Sequence, residues 1–197
     1  MLIEHDGKRP TVAADAYVAP NATLCGDVRV GERASILFGA VLTADGGPIE
    51  VGRCCVVMEN AVVRGRAGHP VSLGDHTLVG PHAHINGATV EDEVFLATGA
   101  SVFPGARIGR GSEVRINGVV HVNTVLAPES IVPIGWIAAG DPAQLFSPDR
   151  HDELWEVQRE LDFPNTTFGL DRSEATMVRI TERYADLFAA HRDDQVL

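Results

Sequence analysis

Cysteine, aromatic residues and positive charge are all scarce in this sequence, and each shortage closes off a class of function. Three cysteines, two of them adjacent (Cys54 and Cys55), do not form a disulfide framework. With the apolar core of a signal peptide also missing from MLIEHDGKRP, the expected compartment is the cytoplasm. No apolar run is long enough to span a bilayer. Lys and Arg number 16 against 27 Asp and Glu, a formal net charge of −11. Nucleic acid and anionic membrane would be repelled, so neither is an expected partner. Aromatics make up 6% of the 197 residues, whereas Gly reaches 20. That balance suits a core of small and aliphatic side chains.

What is abundant is repetition. Aliphatic residues recur every six positions at Val18, Leu24, Val30, Ile36 and Leu42. The register resumes at Val51, Val57 and Val63, then at Leu73, Val79 and Ile85, and runs on from Val90 to Val132. Four residues after most of these aliphatics stands a small side chain, such as Ala22, Ala40, Cys55, Ala61, Ala83 or Ala100. A helix needs a 3.6-residue period, which this spacing does not supply. A short strand with one inward aliphatic, then a tight corner, does fit. The pattern resembles the left-handed parallel β-helix of hexapeptide-repeat proteins, over about residues 11 to 142. The predicted fold is therefore an all-β core, a left-handed parallel β-helix over residues 1–146. C-terminal α-helices over 147–197 pack along its outside.

Two stretches break the register and are read as loops: Thr43–Glu50, with three extra residues, and Arg64–Ser72, with four. Such departures commonly lie beside functional surfaces. After Phe146, Ser147-Pro148-Asp149 reads as a helix start, with Leu154, Val157 and Leu161 on one face. FPNTTFGLD reads as a loop. A second helix is predicted from about Ser173 to His191, burying Met177, Ile180, Tyr184, Leu187 and Phe188.

Four segments sharpen the resemblance. AVLTADGGPIEVG, MENAVVR, VGPHAHING and GDPAQ are similar, in order and spacing, to the VLRGD, QDN…H, GHNxxxHG and G-x-P-A-K segments of gamma-class carbonic anhydrases. The resemblance implies a homotrimer with a zinc ion at each interface, held by three histidines from two subunits. It also implies that the three ligand positions fall here on Arg64, Pro81 and Asn86. None of these suits zinc, which takes thiolate, imidazole or carboxylate donors. Arg64 is a permanent cation and Pro81 has no side-chain donor. The family zinc is therefore not expected, and neither is zinc-dependent hydration.

Histidines are still present nearby. Counting hexads puts Leu42, Val63, Ile85, Val102 and Val120 in one inward column. Their following neighbours, Thr43, Arg64, Asn86, Phe103 and His121, form an outward column. Their preceding neighbours, including Val62, His84 and Ser101, form another. Arg64, His84 and Asn86 should thus cluster, with Asp45 and Glu59 nearby and His82 reaching in from an adjacent subunit. Such a pocket would bind a small carboxylate or bicarbonate-like anion through arginine, with His84 and His82 as acid and base.

Other readings stay open. His82 and His84 read equally as interface hydrogen-bonders, or as a pair that holds a non-family metal if a third donor exists. Arg64 reads also as a partner of Asp45 or Glu59, a structural glue. Cys54 and Cys55 read as packing residues, and His121 as a solvated side chain. Three functions follow: an anion-binding protein or enzyme without the family zinc, a non-catalytic assembly subunit, or a CoA-dependent acyltransferase. Gln144 and the acidic surface weigh against the last.

Overall fold

The computed structural model describes residues 1–197. Short parallel strands coil into a three-faced solenoid, with one ten-stranded sheet and two seven-stranded sheets. On the ten-stranded face, Leu24, Leu42, Val63, Ile85, Val102, Val120 and Ala138 stack in register, coil upon coil. All seven side chains are fully buried. The predicted inward column is the observed one. Small residues fill the interior corners: Ala22, Ala40, Ala61, Ala83 and Ala100 are at most 1% exposed. Cys55 sits at such a corner, where its thiol donates to the Gly74 carbonyl at 2.9 Å. Each coil satisfies the backbone groups of the next, which is why a flat stack of such short strands is stable.

The two register breaks are not simple loops. Strands Val41–Asp45 and Val62–Arg66 each run on for five residues, pairing Thr43 with Arg64, Ala44 with Gly65 and Asp45 with Arg66. The ladder extends because the backbones approach closely there. A Cβ on Gly65 would lie 2.2 Å from the Gly47 carbonyl oxygen, so only glycine fits. The second excursion closes where Arg66 and His69 exchange backbone hydrogen bonds.

Beyond the solenoid stand three helices: α1 (His151–Gln158), α2 (Phe163–Phe168) and α3 (Met177–Ala189). Helix α1 starts later than Ser147, and the loop-like segment FPNTTFGLD contains α2. Its Pro164 in the first turn and Gly169 in the left-handed conformation at the end are helix signals that its polar composition obscures. Leu154, Val157 and Leu161 are half-buried, as a shared face requires. The predicted face of α3 is only partly right. Ile180 is buried and Tyr184 half-buried, but Met177 is 69% exposed, Leu187 40% and Phe188 36%. The helix touches the solenoid through a narrow stripe rather than a full side.

That stripe is aromatic. Phe103 contacts Phe163, and contact passes on through Phe168, Tyr184 and Phe188 to His191, with ring centroids 5.4 to 6.2 Å apart. The C-terminal segment therefore lies along the ten-stranded face. It ends in a strand, Gln195–Val196, antiparallel to Leu2–Glu4. No helix is long and apolar enough to cross a membrane.

Candidate functional site

Arg64 and Asn86 are direct neighbours in adjacent coils, and His84 is level with Val62 on the same face, as the hexad count predicts. What the count leaves open is the partner of Arg64. Its Nη2 donates to Asp45 Oδ2 at 2.6 Å, and the Phe188 ring lies 5.2 Å from its guanidinium carbon. Asp45 is 4% exposed. The Arg64 charge is thus matched at short range by a buried carboxylate. Glu59 is not the partner. It stands at the preceding corner, where its backbone carbonyl accepts from the His82 N–H at 3.0 Å.

His82 occupies that corner in a left-handed conformation (φ 56°) and is exposed. His84 is half-buried, and burial, then the nearby Arg64 charge, pushes its imidazole below the ordinary value. It is a neutral ring at physiological pH. Asn86 is buried, with Oδ1 lacking any hydrogen-bond partner. No third metal-type donor joins His82 and His84; the one grouping of such donors in the molecule lies elsewhere.

Immediately beside the Asp45–Arg64 pair is a pocket of ≈ 350 Å³ between the second excursion and the C-terminal helices. Arg66, His69, Arg183 and Tyr184 line it, together with Asp45. Arg66 stands over the Tyr184 ring at 6.0 Å, and its buried Nη1 has no partner. Neither Arg66 nor Arg183 forms an ion pair, unlike Arg64. Burial, and then Arg66, lower the pKa of His69, so it too stays neutral. Guanidinium groups without carboxylate partners suit oxyanions, and two arginines, Arg66 and Arg183, line this one pocket. The excursion RGRAGHPVS draws attention to Arg66 and His69 in the sequence; Arg183, on a distant helix, carries no such signal.

His121 differs from its expected solvated state. It is 6% exposed, packs against Phe103 and Phe163, and its Nε2 is 2.9 Å from Gln158 Nε2. The helices laid over this face account for its burial.

One seven-stranded face remains open and apolar. A cleft of ≈ 520 Å³ there is lined by Leu78, Pro81, Phe95, Ile116 and Ile134 among others. Phe95, Ile116 and Ile134 are 40%, 45% and 63% exposed. Pro81 joins this cleft to the corner that carries His82.

Sequence comparison finds relatives among carbonic anhydrases. The chain is 32% identical over 154 residues to a mitochondrial gamma carbonic anhydrase 1 of Arabidopsis thaliana, covering 75% of this chain and 54% of that protein. It is 26% identical over 159 residues to a carbonic anhydrase of Geobacillus kaustophilus, covering 81% and 84%. The chain thus spans about half the length of the plant relatives it matches. No family model matches. Among solved structures, one from Bacillus cereus described as a candidate acetyltransferase superposes with a TM-score of 0.57 at 20% identity. It covers 96% of both chains, a likeness of fold alone.

Proposed function

This chain is a gamma-carbonic-anhydrase-like hexapeptide-repeat protein, and from that footing we propose that it binds a small carboxylate or bicarbonate-like anion without the family zinc, as a homotrimer. The observation that carries this reading is the buried, unpartnered Nη1 of Arg66, beside Arg183 at the edge of the pocket. A buried donor left unmatched costs about 1–3 kcal/mol, which an anionic oxygen would recover.

The residues at the family's metal positions do not fit zinc. The Arg64 guanidinium, held against Asp45, puts a permanent positive charge where a dication would sit. Asn86 offers a neutral amide oxygen and Pro81 nothing. No step in this reading runs through a metal at that place. Instead, Arg66 and Arg183 hold the anion, and the Asp45–Arg64 pair forms the adjoining wall. Neutral His69 lines the pocket and offers an imidazole lone pair to a bound acid, while burial makes both His69 and His84 weak bases. Asn86 and Glu59 border the same face and corner. His82 stands on the corner that the family resemblance turns toward a neighbouring copy, where it would complement His84. The open apolar cleft at Pro81 is the surface for that copy.

A thermal-shift series with bicarbonate, acetate, oxalate and acetyl-CoA tests the reading. A carboxylate should raise the melting temperature of the wild type, and Arg66→Ala should abolish the rise. Stopped-flow assay should find no CO2 hydration above the buffer rate. If no anion shifts the wild type, the assembly-subunit reading replaces this one. A shift with acetyl-CoA alone, surviving Arg66→Ala, would instead favour an acyltransferase.

A further inference from the structure

We infer that His5, Cys25, His191 and Asp194 form a binding site for a zinc-class divalent cation, which clasps the two ends of the chain together. Each of the four offers one ligand atom, and these atoms all lie within 4.8 Å of one another. None of the four stands at a family metal position, although Cys25, His191 and Asp194 line one cleft with Arg64, and Asp45 is shared with the wall of the anion pocket.

The donors converge on one carboxylate. His5 Nδ1 is 2.7 Å from Asp194 Oδ1, His191 Nδ1 is 2.8 Å from Oδ2, and the Cys25 thiol donates to Oδ2 at 3.6 Å. The two imidazoles stack with centroids 4.3 Å apart, so both present Nδ1 toward the same point. One sulfur, two imidazole nitrogens and one carboxylate oxygen make a closed four-ligand set of the type zinc occupies structurally. A tetrahedral zinc shell sets such donors about 3.3–3.8 Å apart, a spacing these side chains reach by small rotations from their present separations, all within 4.8 Å. Sulfur and nitrogen donors disfavour calcium and magnesium, which take oxygen.

The surroundings match a metal centre too. His191 turns its other nitrogen, Nε2, to Asp45 Oδ1 at 3.1 Å, and Asp45 is held in turn by Arg64. A carboxylate behind a ligating imidazole fixes the ring and raises its basicity. His5 and Cys25 are buried, at 8% and 3% exposure. On binding, the imidazoles donate lone pairs, Cys25 releases its thiol proton to solvent, and its sulfur bonds the cation as thiolate. Thiolate and carboxylate then balance the two positive charges.

The test is cobalt(II) titration of the chelator-stripped full chain. One equivalent should produce tetrahedral ligand-field bands and a thiolate-to-cobalt charge-transfer band. Cys25→Ser should remove the charge-transfer band, and Asp194→Asn should weaken binding by about tenfold or more. Circular dichroism shows whether each variant keeps its fold, and X-ray absorption of the zinc-loaded wild type reports the sulfur without any variant. Saturable binding with sulfur at the metal supports the site. No stoichiometric binding, or a bound metal without sulfur that ignores both variants, overturns it. Arg66→Ala should leave cobalt binding unchanged, so this result and that for the anion pocket are read independently.

Discussion

Arg64 donates to Asp45 across 2.6 Å, joining two neighbouring coils of the solenoid under the ring of Phe188. The pair is lopsided: the Asp45 side chain is 3% exposed and that of Arg64 26%. Removing the arginine therefore leaves a buried carboxylate with His191 as its remaining partner, whereas removing the aspartate leaves a cation with some access to water. Arg64→Leu should cost about 2–4 kcal/mol of stability, and Asp45→Leu less. The double variant should cost less than the sum, because no unmatched charge remains. Urea unfolding of the four proteins provides the cycle, and strict additivity would remove the pair from the account.

Corner positions should be intolerant of size. Ala83 turns the chain at a corner of the triangular coil and is 1% exposed. It belongs to one buried core cluster with Val79 and Ile85, the inward aliphatics on either side of it. Ala83→Leu should destabilise by about 1–3 kcal/mol through overpacking. Thermal denaturation measures this, and an unchanged melting temperature would mean that the corners are looser than their burial implies.

The burial of His121 gives stability a pH dependence of defined sign. Burial depresses its folded pKa below the ordinary value of 6.5. The unfolded chain then binds the proton more readily, so stability falls as pH drops below that value and is constant above it. Its ring neighbours are Phe103 and Phe163, and Gln158 contacts it through Nε2, so no opposite charge offsets the effect. His121→Gln should flatten part of the decline between about pH 7 and pH 5 in urea unfolding. An equal slope in both proteins would assign the decline to other groups.

Self-association should depend on the open apolar face. Phe95 and Ile134 line its cleft and are 40% and 63% exposed in the single chain. Phe95→Glu with Ile134→Glu should convert a trimer to monomers in sedimentation velocity while preserving the circular dichroism spectrum. A trimer that survives both changes must use another surface.

Much of this was legible in the sequence, for a physical reason. Each face of a triangular coil has room for one inward aliphatic, so a slip of one residue would turn Val63 or Ile85 to solvent. That constraint fixes register, and register alone places Arg64 beside Asn86. Asp45 follows as a neighbour one coil below. Its other partner, His191, lies 146 residues away and enters only when the C-terminal segment settles on that face. Nothing local in the repeat states which of three faces the helices will cover. For the same reason His121 reads as solvated and proves buried. Cys25 and Asp194 likewise have no distinguishing neighbours in the chain; they meet because both ends of the protein return to one edge.

That return has a consequence for how the molecule coexists with its own copies. A pile of parallel rungs ends in unsatisfied amide and carbonyl rows, a template on which identical molecules can join tip to tip into fibres. Here the ten-stranded sheet is bordered at both extremities by a reversed segment, Gln195–Val196 against Leu2–Glu4 and Gln144–Phe146 against Ile137–Ala139. The outermost strands are two and three residues long, so the row of backbone groups left open at each border is short. The tail thereby shortens the edge open to linear polymerisation along that sheet.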